Sequence, residues 1–245
     1  MAGLRPLYRT DLAYIHDRGF SDLAAGVAPE LLRILRRHGL RRARIVEAGC
    51  GSGVLAKHLT DAGHHVLGID ASPAMIRLAR QHAPRARFRV ASLTTAQVPR
   101  CDAVIAVGEV ITYLPSRRAV ERFFARVARA LRPGGLFLFD FIASAERRTY
   151  PPKSRGGDDW AIVARADVGR AGRVLTRRIT TFRKIGSTYR KARETHRVRI
   201  HTPAEIAAAL KRAGFSFRMR RSFGRYRLLR GDVAVLARCD YDGRP

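Results

Sequence analysis

The chain has 245 residues, 46% of them hydrophobic, which is enough for one α/β domain with a full core. No stretch is long and apolar enough to span a bilayer, and residues 1–10 carry no apolar signal region. Cys50, Cys101 and Cys239 form neither a metal-type pair nor an even disulfide framework, so no metal is expected and the cytoplasm is the expected compartment. The 48 Lys and Arg against 20 Asp and Glu give a formal net charge of +28. That charge suits a nucleic-acid partner. It is nevertheless spread along the chain, with arginine used nearly everywhere lysine would serve, which favours compositional bias.

Residues 1–28 place Tyr8, Tyr14, His16, Asp17 and Phe20 in a weakly periodic, partly helical stretch. Residues 29–38 predict an amphipathic helix, started by Pro29, faced by Leu31, Leu32, Ile34 and Leu35, and ended by Gly39. Ile45, Val46 and Ala48 end a short buried strand. Gly49, Cys50, Gly51, Ser52 and Gly53 then make a tight turn into a helix over 54–59. A second strand over 65–69 ends on Asp70. Strand, glycine turn, helix, strand and carboxylate together predict the first half of a nucleotide-type fold, with Asp70 placed for the hydroxyls of a ribose. A dinucleotide turn requires glycine where Val54 stands, and a pyrophosphate would be repelled by Glu47. S-adenosylmethionine has a ribose but no phosphate, and its sulfonium and ammonium groups suit Glu47, Asp70 and Glu109.

Ser72 and Pro73 start a helix that carries Met75, Ile76, Leu78 and Ala79 at helical spacing. Residues 87–90 predict a third strand, and 102–107 a fourth that ends at Gly108, Glu109 and Tyr113. A helix over 120–131 is stopped by Arg132, Pro133, Gly134 and Gly135, and 136–141 is a buried fifth strand. Residues 151–157 read as a linker. The period then changes to two, and strands over 160–164, 174–184 and 189–200 form an antiparallel insertion. In the last of these, Glu194, His196, Val198 and Ile200 share one face, and Arg193, Thr195, Arg197 and Arg199 the other. Thr202, Pro203 and Glu205 form a capping box, and 215–221 and 233–238 supply two final strands.

The acid, the Gly-x-Gly-x-Gly turn, Asp70 at its distance, the run from Asp70 to Met75 and the Leu-Arg-Pro-Gly-Gly before the fifth strand resemble the class I S-adenosylmethionine-dependent methyltransferases. The resemblance runs from about Tyr14 to the last strand. It implies a Rossmann-like seven-stranded sheet with helices on both faces, in a single domain spanning the whole chain. Within it, residues 1–28 are a lid, 29–150 the cofactor core, 158–201 an antiparallel roof over the acceptor, and 202–245 the final helix and strands. It also implies S-adenosylmethionine bound by Tyr14, Glu47, Gly49, Cys50, Gly51, Gly53, Asp70, Ala71, Met75, Ser92, Leu93, Gly108 and Glu109. Ser92 stands where the family usually has an acid. The loop at 108–115 lacks the Asn/Asp-Pro-Pro-Tyr and Pro-Cys runs of amino and cytosine methylation, and resembles bacterial enzymes acting on small molecules. His16, Tyr113, Glu194 and His196 are candidate acceptor contacts, with Glu109 or His196 a candidate base. Transfer to oxygen or nitrogen of a small molecule is the expectation. An RNA or protein methyltransferase, or a binding module without turnover, are the alternatives.

Overall fold

The apolar runs flanking the glycine turn become the central strands of the sheet. The computed structural model describes residues 7–240. In it β1 (Arg44–Ala48), β2 (His65–Asp70), β3 (Arg87–Val90), β4 (Cys101–Ala106) and β5 (Leu131–Ile142) run parallel. β10 (Phe215–Arg220) and β13 (Asp232–Cys239) complete a seven-stranded sheet of order β10-β13-β5-β4-β1-β2-β3, with β13 antiparallel to both its neighbours. Strands buried on both faces need apolar residues at consecutive positions, and β4 is buried throughout.

Alternation assigns the two faces. Ile45, Ala103, Ile105, Leu136 and Leu138 pack with Leu31 and Leu35 of α2 (Asp22–Arg37) and Leu55 and Leu59 of α3 (Val54–Asp61). Val46, Val104, Phe137, Phe139 and Phe141 pack with Phe123 and Phe124 of α5 (Arg117–Ala130) and Ile206 and Leu210 of α6 (Pro203–Arg212). Phe137 stacks on Phe139 at 4.5 Å and meets Phe124 edge-on at 5.3 Å. Burying each such ring stabilises the fold by about 2–3 kcal/mol.

Helix starts follow the capping chemistry. Ser72 Oγ accepts from the Met75 N–H (3.1 Å) and opens α4 (Pro73–His82), with Pro73 in its first turn. The capping box at Thr202 and Glu205 is present with both bonds formed. Pro29, expected to start a helix, lies inside α2, which begins at Asp22. The helix bond lost at the proline is offset because Val27, Ala28 and Leu31 are all buried against the sheet.

The insertion has four antiparallel strands rather than three: β6 (Thr149–Gly156), β7 (Trp160–Val168), β8 (Val174–Ile185) and β9 (Thr188–Arg199). The expected linker at 151–157 is largely β6, so the insertion begins at Thr149 and not at 158. β6 is an edge strand, and its pairing with β7 skips Pro151 and Pro152 at an irregularity between Tyr150 and Lys153. That is where residues with no N–H to donate are tolerated. Leu175, Val198 and Ile200 seat this sheet on Ile142 at the end of β5. At its other end, Trp160 and Ile162 pack with Leu12 and Ile15 of α1 (Thr10–Gly19). A two-stranded hairpin, β11 (Ser222–Phe223) with β12 (Tyr226–Arg227), completes the elements.

Candidate active site

Three glycines shape the turn between β1 and α3, all at positive φ: Gly49 (71°), Gly51 (53°) and Gly53 (82°). Their roles differ. A Cβ on Gly49 would lie 2.6 Å from Val110, and one on Gly53 2.8 Å from the Ala79 backbone, so both serve close packing. A Cβ on Gly51 would meet nothing within 4 Å, which leaves the backbone there open to a ligand. Asp70 closes the turn. Its Oδ2 accepts from the Gly51 N–H (3.0 Å) and its Oδ1 from the Ser72 N–H (2.8 Å). Burial raises its pKa even against these donors.

Glu47 is 4% exposed at the end of β1. Burial and the nearby charge of Asp70 push its carboxyl up to about 8. Its Oε2 has no hydrogen-bond partner. A buried carboxylate oxygen without a donor is costly unless a ligand supplies one. An ammonium group beside Asp70 is the group that fits.

The loop after β4 is held from below. The Gly108 and Glu109 N–H groups donate to Asp140 at 2.7 and 3.0 Å. Burial pushes Asp140 up to about 7, although these donors pull it down. Glu109 has φ +62°, a strained conformation for a residue with a Cβ, and the two Asp140 bonds hold it there. Gly108 has φ +96° and open space where a Cβ would stand. The Glu109 carboxylate pairs with Arg177 of the insertion at 2.7 Å. Burial alone would lower the Arg177 pKa, but Glu109 and Tyr113 outweigh it and hold the guanidinium charged.

Register places Arg177 of β8 beside His196 of β9 on one face of the insertion. His196 is fully buried and uses both ring nitrogens: Nδ1 meets the Tyr113 hydroxyl at 3.0 Å and Nε2 meets Glu194 at 3.1 Å. Glu194 also accepts from the Tyr8 N–H (2.8 Å) and the Arg9 N–H (2.9 Å), at the N-terminus of α1. These donors and His196 hold its pKa below the usual value against the pull of burial, which raises it. The Tyr8 ring packs edge-on against His196, and its carbonyl accepts from Ser72 Oγ at 2.7 Å. One chain of contacts therefore joins the start of α1, β9 and the Asp70 turn.

Residues 45–135 match a family model described as "Methyltransferase domain". YqeM of Bacillus subtilis, a methyltransferase by name, is 28% identical over 182 residues, which span 71% of this chain and 74% of that protein. The ubiquinone biosynthesis O-methyltransferase of Alkalilimnicola ehrlichii is 34% identical over 111 residues. That match covers 42% of this chain and 43% of the relative, so the chain spans under half of that relative's length. The sugar N-methyltransferase KedS8 from a Streptoalloteichus species has the same fold, with a TM-score of 0.80 at 18% identity and 97% of each chain covered. Over residues 45–135 the chain carries a methyltransferase domain, and its fold is that of the methyltransferase KedS8.

In this chain, Glu47, Gly51, Asp70, Gly108 and Glu109 gather at the carboxyl ends of β1, β2 and β4. Cys50 is buried beneath the turn, and burial raises its thiol pKa. Ala71 is exposed next to Asp70. Ser92 is exposed and bonds Thr94 within its own loop, with Leu93 half-buried beside it. Met75 is buried against Ala13 and Ala74, so its side chain is used in packing. Tyr14 points to the insertion, where its hydroxyl donates to Asp159 (2.6 Å) and its ring lies 3.8 Å from the Arg183 guanidinium. His16 stacks on Phe20 and meets Tyr8 edge-on, and burial pulls its pKa down to about 4. Glu194 and His196 pair with each other, as residues sharing one strand face can. Asp140, Arg177 and Tyr8 are tied to these residues by the bonds above and carry no motif. A lone carboxylate inside the apolar run 136–141 was the one signal for Asp140.

Proposed function

We propose that the protein binds S-adenosylmethionine across the carboxyl ends of β1, β2 and β4 and transfers its methyl group to an oxygen or nitrogen atom of a small molecule. The unpartnered Oε2 of Glu47 beside Asp70 carries this reading, because a cationic adenosine derivative supplies what the oxygen lacks. Asp70 takes the ribose hydroxyls, and Gly51 and Gly108 leave their backbone open to the cofactor. When bound, the cofactor supplies a methyl group already activated by its positively charged sulfur.

The protein's own residues then align and shield. The Asp140 bonds fix the loop of Gly108 and Glu109. The α1 lid and the insertion, tied through Tyr8, Glu194 and His196, exclude water. Such alignment supplies about 7–11 kcal/mol of a displacement barrier. Glu109 is ion-paired and His196 is buried with both nitrogens engaged, so His196 acts as a positioning residue through the Tyr113 hydroxyl. Proteins named for ubiquinone biosynthesis and for a sugar both support a small-molecule acceptor. Buried cysteines and the absence, among the described residues, of a helix long and apolar enough to cross a membrane accord with work in the cytoplasm.

The test is calorimetry with S-adenosylmethionine on the wild type and Asp70→Ala, with thermal melting as a check on folding. Binding by the wild type and none by a folded variant is expected. Equal binding by both, or none by the wild type, removes the proposal. Labelled-methyl transfer to a metabolite extract, and not to bulk RNA, is expected alongside.

A further inference from the structure

Period two sorts the side chains of the insertion onto two faces, and only one of them meets the site. The pairing of β7, β8 and β9 puts Arg177, Arg183, Glu194 and His196 on an inner face, which packs toward α1 and the loop after β4. On the outer face stand Arg165 of β7 with Arg178 and Lys184 of β8. β9 adds Lys191, Arg193, Arg197 and Arg199. Six of these seven basic side chains are exposed, and Arg199 is half-buried. Asp167 is the one acid that β7, β8 and β9 place beside them.

The two faces treat their charges oppositely. On the inner face Arg177 pairs with Glu109, and Arg183 and Arg190 both meet Asp11. On the outer face Arg178 pairs with Asp167, and the other six basic side chains have no ion pair among the described residues. Arg165 stands directly opposite Arg178, an arrangement of like charges that costs stability. With 20 acids against 48 basic residues, compositional bias explains why arginine is abundant. It does not explain why the inner arginines are matched and the outer ones are left bare.

Geometry selects the kind of partner. Lys191, Arg193, Arg197 and Arg199 follow one strand at alternate positions, with Thr195 in the gap. At about 3.4 Å per residue this row is about 27 Å long. Its neighbours across the pair are uncharged: Phe182 opposite Lys191, Thr180 opposite Arg193 and Thr176 opposite Arg197. At the hairpin end, the Lys191 ammonium lies 5.8 Å from the centre of the Phe182 ring. Tyr189, diagonal to Phe182 on the same face, is 57% exposed. A row of cations tracks a phosphate backbone, and flat rings at its end stack on bases that are free of a complementary strand. A duplex keeps its base faces covered, and an acidic peptide has none, so the two rings decide for a single strand.

We propose that the outer face of the insertion binds single-stranded nucleic acid, with the β9 row on its phosphates and Phe182 and Tyr189 on its bases. The proposal goes beyond the methyltransferase reading and does not rest on it. The sheet itself stands between this face and the Glu194–His196 pair, so a strand held here is not the methyl acceptor.

Fluorescence anisotropy on the full-length protein tests this, with labelled single-stranded RNA and DNA of about 12 nucleotides. Wild type is expected to bind both, because phosphate and stacking contacts do not read the 2′-hydroxyl. With four phosphates neutralised, affinity should fall about fifty-fold between about 50 and about 200 mM salt. Arg193→Glu combined with Arg197→Glu should weaken binding about a hundredfold. Tyr189→Ala should weaken it about tenfold and leave the salt dependence unchanged. Arg36→Glu with Arg37→Glu, two exposed residues of α2, makes the same change in net charge and should alter affinity by less than about threefold at physiological salt. Melting curves and S-adenosylmethionine affinity establish that each variant is intact. The proposal is overturned by no binding in the wild type or by an equal loss from the α2 variant. Tighter binding of duplex, of polyglutamate or of phosphatidylserine vesicles than of the single strand overturns it as well. Failure of the wild type to bind S-adenosylmethionine removes the methyltransferase reading and leaves this one standing.

Discussion

Glu47→Gln tests the group on which the proposed cofactor recognition depends. The carboxyl moves from an ordinary value of 4.5 to about 8 in the folded protein, with burial the larger cause and Asp70 the second. Between these values the folded state holds a proton that the unfolded state has released, so stability falls as pH rises through this window. At 1.36 kcal/mol per pKa unit, this one group lowers stability by about 3 kcal/mol between pH 5 and pH 8. Glutamine keeps the shape and cannot ionise. Urea unfolding at pH 5, 6, 7 and 8 should show a steep decline in the wild type and a flatter one in the variant. The difference between the two curves measures Glu47 together with its coupling to Asp70, because Asp140 and Asp232 titrate in both proteins. A bound cation reverses the preference of Glu47 for its proton, so wild-type affinity for S-adenosylmethionine should rise across the same pH range and that of Glu47→Gln should rise less. Superimposable stability curves, together with unchanged cofactor affinity, refute the assignment of Glu47 as a buried carboxylate awaiting a cation.

The glycine turn yields a contrasting pair. Gly53→Ala drives a Cβ into the Ala79 backbone at φ +82° and should lower the melting temperature strongly, with a cost of about 2–4 kcal/mol. Gly51→Ala meets open space, so differential scanning calorimetry should find only the φ strain of about 1 kcal/mol, while titration finds cofactor binding lost. Arg177→Met strips the half-buried Glu109 of its counter-ion. Chemical denaturation should show a loss of about 2–4 kcal/mol, and adding Glu109→Gln to the same chain should recover part of it. Recovery of nothing would mean that the pair is incidental to the loop.

How far the site could be read from the chain depended on how local its physics is. The turn from Gly49 to Gly53 and the acid at Asp70 were legible because a sharp reversal and a strand tip depend on neighbouring residues. The two faces of β9 were legible from period two alone, and Glu194 and His196 do face inward. The partner of His196 was not, because Tyr113 is 83 positions away and only the folded roof brings its hydroxyl within 3.0 Å. Pro151 and Pro152 disguised β6 as a linker, since proline ordinarily breaks a ladder, and here an irregularity in the pairing lets the strand pass. Pro29 misled in the same way at α2, where tertiary burial outweighed local preference.

Asp232 marks the boundary of what pattern can reveal. In the chain it is an acid at the head of a final apolar strand, where a polar residue facing solvent is unremarkable. β13, however, enters the sheet antiparallel between β5 and β10, which brings its first residue to the end where the parallel strands finish. The reversed direction of one late strand turns an ordinary strand-start aspartate into a buried acid at that end. It places that residue near Asp140 and Glu109, each drawn from a different strand or loop. Burial and the neighbouring charges of Glu109 and Asp140 push the Asp232 carboxyl up to about 8, so the folded protein offsets the cost of this placement by holding a proton there.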